Sequence, residues 1–576
     1  MRKIPWFLII TLICLPAIFN YGQKKILPAK IPITQLKPVN FSELAKYELA
    51  NPLVKKIGFI NPANNPNLNT NHVIDTGYSA KFNILPELPG ERPIRKIAIQ
   101  SPPPMTSFNG IMDDGIHTPD VNGAAGNTYL METTNTSFSI YTKSGTLVSS
   151  VTPDDFFSAE EGNSGDPRIA YDFANNRYII LDYGADMVMG HGVYIGISQT
   201  DDPRGNWWRY FFPTTGNDYP LLGYNTNWLV ITIASAPQTI YVFNRTSLYS
   251  GTLGSVNIFT DPTEMGYWGP ALTYDNTQTK EYLVQEWNSN SGGYGYVKVA
   301  NISGTADAPV FDAGSTIGIN NPWNDNNLIL ASQNGGMEKL EGGDSRINNA
   351  IYINNSLWFC HSVNLPLYNP THSGVDWWQI DPVTPSIIQY QRIEDLTAAN
   401  FYFYPNISVN PNNDVLMGYC QSSATMYASA AYSMHTYLDP TNVMETPNIY
   451  KSGLGYYNIV TSTNPRNRWG DFTGTAVDPV DGSFWSFGLF ANTGNHWGTV
   501  IANIKIPQIP DLYIQDVPAD NGTEPDPSTL PMYQSQDIWL RQMPDPDYTY
   551  AHMTQDASYP NLNTIYVEVH NRGRAA

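Results

Sequence analysis

Arg168-Ile-Ala-Tyr-Asp172, Phe173-Ala-Asn-Asn176 and Arg177-Tyr-Ile-Ile-Leu181 read in succession as an extended strand, a tight polar turn and a second strand. The same unit returns at Leu272–Asp275, Asn276–Lys280 and Glu281–Val284, and at Gly474–Asp478, Pro479–Gly482 and Ser483–Trp485. Weaker copies lie at Tyr224–Trp228, Tyr352–Trp358 and Val409–Val415, and a first copy ends at Asn127-Thr-Tyr-Leu130. The polar turns carry Asn, Asp, Gly and Pro, residues that tolerate the backbone angles of a reversal. About seven copies of one hairpin predict an array of small sheets.

The second strands open near Asn127, Arg177, Asn227, Lys280, Ser356, Asp414 and Ser483, at intervals of 50, 50, 53, 76, 58 and 69 residues. A four-stranded sheet with its turns needs roughly 40–50 residues. The longer intervals therefore predict inserted loops, chiefly around Asn301–Gly343 and Thr436–Asn467. Third strands are expected at Phe138–Tyr141, Val193–Ile197, Ile240–Phe243, Tyr296–Val299, Trp377–Ile380, Ala430–Ser433 and Gly498–Ile501. Trp208–Phe212 and Ile387–Tyr390 supply fourth strands. Only Glu43–Ala50 has a short helical pattern. The fold class predicted is all-β, a seven-bladed β-propeller, because radial packing buries both faces of each sheet and leaves short edges. The many Tyr and Trp residues suit the space between blades.

The expected organisation is a secretory signal over residues 1–22, a Pro/Asn-rich leader over 23–105, the propeller over 106–507 and a β tail over 511–576. Met1-Arg-Lys followed by an apolar run from Ile4 to Phe19 is the signal pattern. Cys14 sits within that run, without the small residue before it that a lipoprotein signal carries. Lys96–Gln100 is expected to pair with the last blade and close the ring. In the tail, strands are predicted at Asp511–Asp516, Gln536–Arg541 and Asn563–Asn571.

The chain has 576 residues and a formal net charge of −20. Such a surface repels phosphate backbones, which argues against nucleic acid as a partner. Outside the N-terminal run, no stretch reaches the ~18 apolar residues of a membrane span. Beyond the signal, Cys360 and Cys420 are the remaining cysteines, so a disulfide scaffold and a zinc Cys-x-x-Cys site are both excluded. They are read either as two buried thiols or as one bridge.

Several segments together resemble a group of secreted bacterial β-propeller proteins, most of them uncharacterised. They are Pro119–Gly126, Gly165-Asp-Pro167 with Tyr171-Asp172, Asp218-Tyr-Pro220, Asp344-Ser-Arg346 with Leu357-Trp358, and Arg468-Trp-Gly-Asp471 with Val477–Pro479 and Phe484-Trp485. The resemblance implies the propeller fold and export, and it carries no catalytic residues with it. In general look the chain is similar to sialidase-like propellers, without their Asp-box; Asp481-Gly-Ser-Phe-Trp485 only approximates one. The tail ending in Asn571-Arg-Gly573 resembles the start of an immunoglobulin-like adhesion module, with too few strands for a full sandwich.

Asp166, Asp218, Asp344 and Asp471 each precede or open the first strand of a unit, and Arg346 and Arg468 join them. In a propeller those positions converge on one mouth of the central channel. Carboxylates and guanidiniums there would take a hydroxyl-rich or carboxylate ligand. Two of the Asp residues at roughly 5–9.5 Å would also serve glycoside cleavage. The plainer reading is turn chemistry, with each Asp accepting backbone N–H groups.

Asp120-Val-Asn122-Gly123 resembles half a calcium loop, so calcium is the cofactor expected if there is one, held by Asp120 and Asn122. The histidines lack metal-ligand spacing; His361 with Tyr404 is the pair a polysaccharide lyase would use. The Trp207-Trp208 and Trp377-Trp378 pairs are candidates for stacking on sugar rings. The functional expectation is an extracellular or cell-surface binding protein. Its partner would be a polysaccharide or a cell-surface protein. A secreted glycoside hydrolase or polysaccharide lyase, and a structural cell-surface module, are the alternatives.

Overall fold

The computed structural model describes residues 28–52, residues 100–506 apart from short internal stretches, and short strands between residues 512 and 571. The N-terminal run expected to be a signal and most of the expected leader lie outside the described residues. The chain divides into two units, Met1–Ile504 and Lys505–Ala576.

The larger unit is an all-β, propeller-like stack of antiparallel meanders. The first comprises Asn122–Ala125, Tyr129–Thr133, Phe138–Thr142 and Leu147–Val151. The second runs Ser164–Asp172, Arg177–Asp186, Gly190–Ser198 and Asn206–Pro213. The third is Leu221–Tyr224, Trp228–Ile233, Gln238–Asn244 and Ser255–Asp261. The fourth is Trp268–Thr273, Glu281–Glu286, Gly295–Thr305 and Ala308–Ile319. Ile347–Ile353, Ser356–Leu365, His372–Asp381 and Ser386–Ile393 form the fifth. Asn400–Val409, Val415–Ser423, Met426–His435 and Asn448–Lys451 form the sixth. The seventh holds Gly474–Val477, Phe484–Asn492 and His496–Ile504. Its outer strand is Thr106–Met112, from the other end of the unit.

Each first strand packs beside the first strand of the next meander, and Gly474–Val477 packs beside Asn122–Ala125. Where these neighbours hydrogen-bond they run parallel, as at Tyr224 with Leu272 and at Ala271–Thr273 with Ala350–Tyr352. Buried asparagines stitch others together. The Asn122 side chain accepts from Ile169 N and donates to Thr473 O. Asn349 exchanges bonds with Ile407, and Asn406 accepts from Thr475 N.

The repeating hairpin turns owe their shape to an Asx residue at the end of the first strand. Asp172 accepts from Ala174 N and Asn175 N, Asp275 from Thr277 N, and Asp478 from Val480 N. Asn225 and Asn410 do the same in the third and sixth meanders. Between the sheets lie fully buried rings, among them Trp207, Trp228, Trp268, Trp358, Trp377, Trp378 and Trp497. Burial of each such ring contributes on the order of 2–3 kcal/mol. Trp358 stacks on Trp377, and Phe359 on Trp378.

Two expectations change, the closing strand and the tryptophan pairs, and two open readings, the leader and the cysteines, are resolved. The strand completing the seventh meander is Thr106–Met112, not Lys96–Gln100; Gln100 bridges Thr446 instead, and residues 96–99 lie outside the described residues. The leader is not all linker. Ala29–Pro32 pairs with Ser255–Asp261, and Thr34–Asn40 with Asn206–Pro213, covering the outer edges of two sheets. Helix Phe41–Ala50 follows, capped by Asn40 and anchored by buried Phe41 and Ala45. Trp207, Trp377 and Trp378 are buried and Trp208 half-buried, so the tryptophan pairs present no sugar platform. Cys360 and Cys420 are separate buried thiols: Cys360 faces Asn349, and Cys420 accepts from the Trp469 indole.

In the smaller unit, Leu512–Tyr513 pairs with His570–Asn571, and Ile538–Arg541 with Thr564–Val567. Among the described residues, no helix is long and apolar enough to cross a membrane.

Candidate functional site

The turns that feed the first strands meet at one end of the sheets. They bring Asp120, Asp166, Asp218, Tyr219, Tyr267, Asp344, Arg346, Tyr404, Arg468, Asp471 and Phe472 into one connected group. Asp120, Asp166, Tyr219 and Tyr404 all have left-handed backbone, with φ of 49°, 56°, 51° and 54°. Side chains other than glycine adopt that conformation at a cost of order 1–3 kcal/mol each, held by the surrounding structure.

Oxygens of Asp120, Asp166 and Asp471 lie within 4.8 Å of one another. Asp120 is only 1% exposed. Its Oδ2 accepts from Thr118 Oγ1 at 2.7 Å and Asn135 Nδ2 at 2.6 Å. Burial, then the Asp471 and Asp166 carboxylates, push Asp120 up to about 8, against the pull of Arg468. Asp166 reaches into the next turn, its Oδ2 accepting from Tyr219 N at 2.9 Å. Half-buried Asp218 adjoins Asp166; burial first, then the Asp166 and Asp471 charges, hold it well above the ordinary carboxylate range.

The two arginines are each paired. Arg346 grips Asp344 with two parallel bonds, Nε to Oδ1 at 2.7 Å and Nη2 to Oδ2 at 2.6 Å. Its guanidinium is sandwiched between the rings of Tyr219 and Tyr267, 4.5 and 4.4 Å from their centroids. Arg468 pairs with Asp471 through Nη2. Arg168, which sequence reasoning missed, lies over Phe472 at 3.5 Å and Tyr219 at 4.8 Å and donates Nε to Pro220 O.

The two long insertions meet beside Arg468. Leu330–Ala331 pairs with Leu340–Glu341, Glu341 binds Arg466 and bridges Arg468, and Gln333 donates to Tyr457 O. Behind Asp344, burial and then Asp325 hold Glu286 well above its ordinary value, and the Trp323 indole donates to it.

All six residues expected at the channel mouth, Asp166, Asp218, Asp344, Arg346, Arg468 and Asp471, thus lie at this end. Asn122 of the half calcium loop does not face the carboxylates, because both ends of its amide are spent on Ile169 and Thr473. His361 is no general base presented to a ligand. It is fully buried, Trp378 Nε1 donates to its Nε2 at 3.1 Å, and burial lowers it to about 4. The Tyr404 hydroxyl is likewise spent, donating to Glu341 O. Tyr219 stood inside the Asp218-Tyr-Pro220 motif; Tyr267, Phe472 and Glu286 had no sequence signal.

No protein-family model matches the chain, and no curated protein matches it. Among solved structures, Raptor from Chaetomium thermophilum is similar over 71% of this chain and 30% of its own, with 7% identity and a TM-score of 0.39. The chain thus aligns with less than a third of that protein's length. An exo-β-1,3-galactanase from Clostridium thermocellum is similar over 69% and 100%, with 10% identity and a TM-score of 0.27. An endo-arabinase from Bacteroides thetaiotaomicron is similar over 59% and 94%, with 11% identity and a TM-score of 0.29.

Proposed function

We propose that the seven meanders are blades of one exported propeller, and that the mouth gathered around Asp166, Asp218, Asp344, Arg346, Arg468 and Asp471 binds a polar, hydroxyl-rich ligand, a glycan in the first instance. The observation that carries this reading is the convergence of charged and aromatic side chains from every meander on one end of the fold. Carboxylates accept hydrogen bonds from sugar hydroxyls, and the half-buried Tyr267 ring supplies an apolar face beside them. Both arginines are already paired with Asp344 and Asp471, so the mouth favours neutral donors over anionic groups. The N-terminal apolar run supports export, and the short tail ladders are read as a partial immunoglobulin-like module.

A second reading, glycoside hydrolysis, draws on Asp218. A hydrolase needs one carboxyl held protonated near one that stays ionised, and burial beside Asp166 favours the protonated form of Asp218.

The test is a glycan-array and polysaccharide-digestion screen of the purified chain beside an Asp344→Ala/Arg346→Ala double variant. Binding that is lost in the variant supports the mouth as the site, and product analysis separates lectin from hydrolase. Binding that survives in the variant moves the site elsewhere.

A further inference from the structure

Three carboxylates from three different meanders meet at one point. Asp120 precedes the first strand of the first meander, Asp166 opens the second, and Asp471 precedes the seventh; their oxygens fall within 4.8 Å of one another. Left bare, three such groups repel, and among the described residues the cation paired with them is Arg468, on Asp471.

An independent observation shows what the crowding is for. Asp120 is buried, and its two oxygens differ. Oδ2 is fixed by Thr118 and Asn135, while buried Oδ1 has no hydrogen-bond partner among the described residues. That oxygen lies against Gly470, where a Cβ would stand 3.5 Å from it, one residue before Asp471. A buried acceptor without a donor costs about 1–3 kcal/mol, more when charged. Proteins rarely keep one beside two further carboxylates unless a positive ligand completes the set.

We infer that Asp120, Asp166 and Asp471 form a divalent-cation site of the calcium type, tying the first, second and seventh meanders together. The donors are all oxygens, with no cysteine or histidine among them, which suits a hard cation and not zinc or copper. Carboxylates carried by separate turns can spread to the 2.3–2.6 Å bonds and irregular geometry that calcium accepts and magnesium resists. The Thr118 and Asn135 bonds orient Asp120 from behind, as an outer shell does for a metal ligand. The ligand set differs from the half-loop pattern of the sequence: Asp120 stays, and Asn122 is replaced by Asp166 and Asp471, 46 and 351 positions beyond Asp120. This inference is independent of any glycan at the mouth.

The experiment uses the full chain, stripped with chelator and titrated with calcium. Calorimetry and thermal unfolding are read together, and terbium luminescence, sensitised by tryptophans such as Trp469, reports occupancy directly. One equivalent of calcium should bind and raise Tm by about 3 °C at a hundredfold excess over Kd. Asp120→Asn retains an oxygen for Thr118 and Asn135, and should weaken calcium at least tenfold. Asp471→Asn should do the same, and stands in should the first variant fail to fold. Asp381→Asn, at the opposite end of the strands, should bind as the parent does. The inference is overturned by absence of heat, Tm shift and luminescence at millimolar calcium, or by an Asp120→Asn chain that binds calcium like its parent. In the first case the carboxylates share protons instead.

Discussion

The two ends of the same strands handle acidic residues in opposite ways. At the hairpin ends, Asp172, Asp275 and Asp478 each accept backbone N–H groups of their own turn. Asp381 is the extreme case: the Thr384 hydroxyl and the Val383 and Thr384 amides hold its pKa below the usual carboxylate value. At the mouth the acids face one another. Asp120 is driven up to about 8 and Asp218 well above its ordinary value, by burial first and by neighbouring acids second. One chemistry locks local turns, and the other crowds acids whose protons are held tightly where several sheets meet. The contrast teaches that an Asp at a strand end is structural when it caps its own turn and any partner from another sheet is a cation or hydroxyl, as Arg245 and Tyr249 are for Asp172 and Lys143 is for Asp478, and a candidate for ligand work when its neighbours from other sheets are further acids.

The sharpest way to break this contrast is at Arg468, the cation that offsets Asp471. Arg468→Met strands a half-buried carboxylate beside Asp120 and Asp166. In chelator, urea denaturation should show a loss of about 3 kcal/mol. A loss below ~1 kcal/mol would mean that the charges are already neutralised by protons. A smaller effect is expected at Glu132, buried between the first and seventh meanders, where burial raises it to about 7 against an ordinary 4.5. It accepts from Ile111 N and the Tyr141 hydroxyl. The folded chain holds this proton more tightly than the unfolded one. Its contribution is therefore fully present below pH 4.5 and lost as pH rises through about 7. Glu132→Gln should flatten the fall in stability between pH 5 and pH 8 by at least about 1 kcal/mol, read from paired denaturation curves. An unchanged slope would place the titrating group elsewhere. The smallest effect belongs to the turn end. Asp381→Ala should cost about 0.5–1 kcal/mol and leave mouth binding unaltered.

The sheet array was legible in the sequence because its unit is local. A first strand, an Asx turn and a second strand fit within about twenty-five residues, and every expected third strand falls inside an observed one. What failed depended on long-range pairing. Neither Thr106–Met112 nor Ala29–Pro32 carries a mark naming its partner strand, roughly four hundred and two hundred residues away respectively. The mouth was legible in part for the same reason. Asp166, Asp218, Asp344 and Asp471 recur at equivalent positions of the repeat, so periodicity alone aligns them. The packing of Asp120 against Asp166 and Asp471, and of Tyr219 and Tyr267 around Arg346, exists only once the sheets stand side by side. The tryptophan pairs misled because alternation along a strand does not say which face meets another sheet.

The seventh sheet is assembled from both flanks of the array, with Thr106 opposite Asn503. A ribosome must therefore deliver about five hundred residues before the last hydrogen-bond ladder has both halves. Until then Thr106–Met112 and the neighbouring first sheet wait with an unfilled edge. The clasp turns synthesis into a countdown: the late arrival of one strand decides when the first-made strand of the seventh sheet finds its partner.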